Sequence, residues 1–181
     1  GWDRWSAFRP VFDRQLTVMD VRAVRFDIVA ANSAAHAAFI TTFESALAAF
    51  TALDCATASA QWGELAAQIA AHQAVEEELL AALAAYPDLP SPRGGATSLV
   101  LAEHQRLDHL HTVAAQQIAA VGATPLEARR LAMVRVLDDV LRFRHLLEHH
   151  GLREEQIVYP HLMATLPPSL CASFAERLLR L

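Results

Sequence analysis

Two short runs hold most of the side chains able to do chemistry: His72-Gln-Ala-Val-Glu76-Glu77-Glu78 and His150-Gly-Leu-Arg-Glu154-Glu155-Gln-Ile-Val-Tyr159-Pro160. Both read His-x-x-x-Glu, and residues four apart lie on one face of a helix, one above the other. An imidazole and a carboxylate offered together by each of two helices are the donors from which metal sites in bundle cores are built. That chemistry requires both pairs to face inward, so the elements carrying them decide the question.

The elements are helical. The 181-residue chain is 54% apolar, much of it alanine, with few glycines and no alternating β-branched runs. This predicts an all-α protein, an up-down-up-down four-helix bundle. Residues 1–25 hold Trp2, Trp5, Phe8 and Phe12 without a clean period and read as an N-terminal arm. Residues 26–162 form the bundle, and residues 163–181 a short C-terminal helix packed on it.

Within the bundle, helix A spans about Phe26 to Leu53 with the stripe Phe26, Val29, Asn32, His36, Ile40, Phe43, Leu47 and Phe50. Helix B, about Ala60 to Tyr86, has Trp62, Leu65, Ile69, His72, Glu76, Leu79 and Leu83 at alternating three and four spacing, the seam of a packed helix. Prolines and glycines of the 87–95 loop separate two helical hairpins. Helix C, about Ser98 to Val121, has the stripe Leu101, His104, Asp108, His111, Ala115 and Ile118. Thr124 is positioned to cap helix D, with Pro125 at its first position. Helix D runs to about Tyr159 with Val136, Val140, Phe143, Leu147, His150, Glu154 and Ile157 inward, and Pro160 reads as a bend or stop.

Seven polar residues thus fall on core stripes: His36, His72, Glu76, His104, Asp108, His150 and Glu154. A buried carboxylate is costly unless it is paired or bound to a cation, and several together repel one another. Metal cations remove both problems. Imidazole and carboxylate without thiolate suit iron or manganese, with zinc possible, and this many donors suits two ions bridged by Glu76 and Glu154. His149 competes with His150 for the inward place, and the seam favours His150. His111 reads as a packed histidine. His109, His145 and His161 read as surface or boundary residues, and Glu77, Glu78 and Glu155 as solvated faces.

The pattern resembles the hemerythrin-like, or HHE cation-binding, domain family across residues 26–162. The resemblance rests on His36, on His72-x-x-x-Glu76-Glu77, on Glu103-His104, and on His150-x-x-x-Glu154-Glu155 followed by Tyr159-Pro160. It implies a non-haem di-iron centre (Fe2+/Fe3+) with a bridging oxo or hydroxo group, His36 and His72 on one iron and His104 and His150 on the other. Oxygen-carrying hemerythrins have a second histidine four residues after the first in helix C, and here that place is Asp108. A carboxylate ligand there would favour the oxidised metal over reversible oxygen carriage.

The expected function is binding, sensing or reduction of a small oxidant: oxygen, peroxide or nitric oxide. A di-iron oxidase or oxygenase acting on an organic substrate is the alternative, and iron storage or sensing a third. The residues leave open whether the chain turns a substrate over, and they do not identify an electron donor or partner protein. The net charge of −5 with no basic cluster argues against nucleic acid. No apolar run approaches the roughly 20 residues of a membrane span. Cys55 and Cys171 lack any Cys-x-x-Cys spacing, as expected of a reduced, cytoplasmic protein.

Overall fold

A computed structural model describes residues 27–86 and 90–180, apart from the side chain of Ala84. The expected N-terminal arm lies outside the described residues. The elements are α1 (Ile28–Thr51), α2 (Cys55–Ala82) ending in a 3₁₀ turn, α3 (Thr97–Ala123), α4 (Leu126–Arg153), a π turn (Glu154–Val158), α5 (Tyr159–Thr165) and α6 (Pro168–Leu178). There are no strands among the described residues. Each long helix packs on its sequence neighbour, and α4 closes the ring against α1. Connections of two or three residues between α1 and α2 and between α3 and α4 make those pairs antiparallel hairpins.

Local chemistry sets the helix ends. Asp27 caps α1, accepting a hydrogen bond from the Val29 backbone N–H at 2.9 Å, and Asp54 caps α2 through Thr57 N–H at 3.1 Å. Helix α2 therefore begins at Cys55, a turn and a half before the expected Ala60. Thr124 does not cap α4. Its hydroxyl bonds back to the Ala120 carbonyl, and Arg129 takes the Thr124 and Gly122 carbonyls at the end of α3. Pro160 does not stop the chain's helical path. It sits in the first turn of α5, directly after the π turn, where its missing N–H is not needed.

Two apolar clusters fill the bundle. One contains Phe39, Phe43, Phe50, Trp62, Leu65, Ile118, Phe143 and Leu147. Its rings meet at 5.7 Å (Phe43–Trp62) and 5.2 Å (Trp62–Phe143), contacts worth about 0.5–1.5 kcal/mol each beyond area burial. The other contains Ile28, Val75, Leu79, Val100, Tyr159, Leu162, Phe174 and Leu178, and through it α6 contacts α1 and α2.

The inward stripe of α3 differs from the sequence expectation. Val100, His104, Leu107, Ala114, Ile118 and Val121 are buried, whereas Leu101 is half-buried and Asp108 exposed. Four helical residues advance the chain 40° past a full turn and three fall 60° short. Leu107 takes the inward place after His104, and Asp108 turns outward.

Candidate metal centre

Between the two apolar clusters lies a layer of polar side chains. His72, Glu76, His104, His150 and Glu154 are each at most 2% exposed, and the His36 side chain is 13% exposed. Six of the seven expected residues are thus brought together. Asp108 is the exception, and the argument that it would favour an oxidised metal falls with its outward placement. His149 is exposed while His150 is buried, so α4 presents His150 to the core.

The six form two overlapping groups. Glu76, His104, His150 and Glu154 offer donor atoms all within 4.8 Å of one another, as do His36, His72 and Glu154. Glu154 belongs to both. Its Oε2 lies 2.9 Å from His36 Nε2 and 3.9 Å from His72 Nε2, while its Oε1 abuts His150 Nε2. Glu76 Oε2 in turn lies 3.0 Å from His104 Nε2, 3.9 Å from His150 Nε2 and 4.0 Å from His72 Nε2. Each carboxylate therefore touches histidines of both groups.

Local features hold these side chains in place. The π turn begins at Glu154; such turns mark one extra residue in the helical path and recur at functional sites. Gly151 lets α4 pass close to α1. A Cβ there would stand 2.5 Å from His36 Nδ1, closer than the ring can tolerate. Asn32, also buried, donates from Nδ2 to Glu154 Oε2 at 3.2 Å.

Residues outside the expected set brace two of the histidines. Glu103 Oε2 lies 3.0 Å from His150 Nδ1, and Glu77 Oε1 lies 3.1 Å from His104 Nδ1. A carboxylate accepts, so a proton on each Nδ1 would be held there and Nε2 left to face the centre, the tautomer a metal ligand needs. Arg153 holds Glu103 through Nε at 3.1 Å and Nη2 at 3.0 Å, and ties the Gly94 carbonyl at 2.8 Å. Glu77 is thus not simply a solvated residue, although its side chain is 52% exposed. Its position directly after Glu76, and that of Glu103 directly before His104, were visible signals. Their orienting role needed the α2/α3 and α3/α4 geometry.

The electrostatics follow from burial and pairing. Burial disfavours charge on Glu154, but His150, His36 and His72 outweigh it and hold the carboxyl well below its ordinary range. Glu76 is pushed up by burial and by the Glu154 charge. Burial also opposes a charge on His150, yet Glu103, Glu154 and Glu76 raise its pKa to about 10. His36, with less compensation for its burial, is lowered.

These residues fit a cation. Both nitrogens of His72 and Glu76 Oε1 are buried without a hydrogen-bond partner among the described residues. His36 Nε2 comes within 2.9 Å of a carboxylate oxygen yet makes no well-directed hydrogen bond to it. Such unpaired, converging donors are costly in an apolar core, and a shared cation would satisfy them. Tyr159, fully buried in the layer above, is likewise unpartnered at its hydroxyl among the described residues. Burial and the nearby Glu76 and Glu154 push its pKa well above the usual phenol range, keeping it neutral.

His111 serves packing. Trp62 Nε1 donates to the His111 carbonyl at 3.1 Å, His111 Nε2 donates to the Trp62 carbonyl at 2.9 Å, and the rings stack at 5.1 Å. His109 and His145 are exposed, and His161 is half-buried at the loop end.

Fold and site together define a helical-bundle protein whose core layer of histidine and glutamate can hold metal. The family model described as the hemerythrin HHE cation-binding domain matches residues 27–162, and the chain belongs to that family. No curated protein and no solved structure matches it.

Proposed function

We propose that the layer holds two iron ions, one at His36 and His72 and the other at His104 and His150, with Glu76 and Glu154 shared, and that it binds, senses or reduces a small oxidant. The observation that carries this reading is the sharing itself. Each carboxylate reaches histidines from both groups, and Glu154 belongs to both donor sets. Manganese or zinc is the lesser alternative, although the same donors would accept either.

Bound iron would supply redox change and open coordination positions for oxygen, peroxide or nitric oxide. The chain's own part is to position and to exclude. Glu77 and Glu103 hold the His104 and His150 rings with Nε2 inward. Phe39 and Leu79 on the two sides of the layer are at most 3% exposed and keep water out. With Asp108 turned outward, each half would have two histidines plus the shared carboxylates, leaving room for an exogenous ligand at either.

No helix among the described residues is long and apolar enough to cross a membrane. We place the protein in the cytoplasm, where Cys55 and Cys171, free and buried, stay reduced. The test is to load the protein anaerobically with ferrous iron and add oxygen, peroxide and nitric oxide in turn, following the ultraviolet–visible spectrum. Spectral change with at least one of the three is expected. Bound iron inert to all three would leave a storage or iron-sensing role instead.

A further inference from the structure

Asp108, exposed on α3, stands outside the centre. It lines instead a cleft of about 430 Å³ between α2 and α3, with Gln73, Glu77, Leu107, His111 and Phe143. Asp108 and Glu77 are exposed at its rim on opposite helices, and neither is paired with an arginine among the described residues. The chain has no lysine, and no arginine lines the cleft. Gln73 lies deeper and is 7% exposed. Its buried Nε2 has no hydrogen-bond partner among the described residues, leaving Oε1 as the amide atom that meets the cleft.

The polar atoms open to this cleft accept hydrogen bonds. Glu77 Oε1 takes His104 Nδ1 at 3.1 Å, which leaves its other oxygen for the cleft. His111 donates from Nε2 to the Trp62 carbonyl at 2.9 Å, and burial lowers its pKa, so the ring is neutral and Nδ1 is an acceptor. The Thr112 hydroxyl donates to the Asp108 carbonyl at 2.8 Å and is not free to serve a ligand. Two carboxylates, an imidazole nitrogen and an amide oxygen call for a ligand that only donates and carries positive charge. The floor is apolar, made by buried Ile69, Leu107 and Phe143.

We infer that this cleft binds a primary ammonium group carried on a short alkyl chain. Asp108 and Glu77 hold the charge, Gln73 Oε1 and His111 Nδ1 accept its N–H groups, and Ile69, Leu107 and Phe143 pack the chain. The spacing disfavours a bare metal ion. Asp108 and His111 belong to neither of the groups whose donors lie within 4.8 Å of one another. The apolar floor argues the same way, since a hydrated ion gains nothing from it. None of the six residues of the polar layer lines the cleft, and Glu77 is its link to the centre.

The probe is n-butylammonium, titrated calorimetrically into the full chain at neutral pH, with n-butanol and butyrate as controls of equal chain length. One saturable site with a dissociation constant of about 1 mM is expected for the ammonium, and none for the alcohol or the acid. Asp108→Asn should weaken binding about three-fold, the size of an exposed ion pair. Ala70→Trp, which fills the cleft from an exposed position on α2, should abolish it. Both positions are exposed, so the thermal midpoint should hold in each variant, as circular dichroism checks. No saturable heat with n-butylammonium would overturn the site. So would equal affinity for n-butanol, or an affinity unchanged by either substitution. Because no proposed metal ligand lines the cleft, metal-free and iron-loaded protein should each bind one equivalent, and failure of the di-iron reading leaves this test standing.

Discussion

The two halves of the centre are built differently. Around His104 and His150, the Nδ1 atoms meet Glu77 and Glu103 at 3.1 and 3.0 Å, and Glu103 is fixed in turn by Arg153. Around His36 and His72 no carboxylate stands on the far side of either ring among the described residues. His72 Nδ1 is buried and unpartnered, and His36 packs against Gly151. One half is braced, the other unbraced. A site so divided can hold its metals firmly on one side while exchanging ligands on the other.

The comparison can be broken most severely at the residue the halves share. Glu154→Ala should abolish metal uptake by both, since Glu154 belongs to both donor groups. Metal analysis after loading would show retention of one ion if the halves were independent. The difference between halves is sharpened by Glu103→Gln, which removes the acceptor that fixes His150. It should weaken one of the two ions about 10–100-fold, read by chelator competition. Ser33→Ala, at the unbraced half, should leave both affinities unchanged. Equal weakening of both ions by Glu103→Gln would mean that the brace does not belong to one half.

A smaller effect is expected from pH on the metal-free protein. His150 has its pKa raised to about 10, with Glu103 and Glu154 outweighing burial. Its pairing therefore stabilises the fold fully below the unfolded value of about 6.5, and that contribution is lost as pH rises towards 10. The denaturant midpoint of chelator-treated protein should fall over that window. Glu103→Gln should flatten the fall, and bound metal should abolish it by removing the proton. A midpoint rising over the same window would show that another group dominates.

Much of this was legible in the sequence because α2 and α4 carry unambiguous seams. Trp62, Leu65, Ile69 and Leu79, and Val140, Phe143 and Leu147, are bulky enough to set one helical phase, and the His-x-x-x-Glu pairs inherit it. Helix α3 has two neighbouring phases of similar quality. Leu101, Asp108 and Ala115 compete with Val100, Leu107 and Ala114, and both phases share His104 and Ile118. The carboxylate of Asp108 looked like a ligand and pulled the reading one residue round. Only packing against α2 and α4 resolves it, with Leu107 buried and Asp108 exposed.

The braces were hidden for a different reason. Glu103 and Glu77 lie in sequence beside proposed ligands but act on rings of other helices, so no spacing rule within one helix finds them. Gly151 was equally silent. Its meaning depends on His36, more than a hundred positions earlier, coming within contact of its backbone.

The central claim, that this polar layer is a two-metal site, is tested most directly by metal analysis of protein purified without added metal and then offered ferrous iron anaerobically. About two iron ions per chain, with near-ultraviolet absorption appearing on oxidation, is the predicted result. Protein that arrives without metal and takes up none would contradict it, returning His36, His72, Glu76, His104, His150 and Glu154 to a metal-free hydrogen-bonded layer.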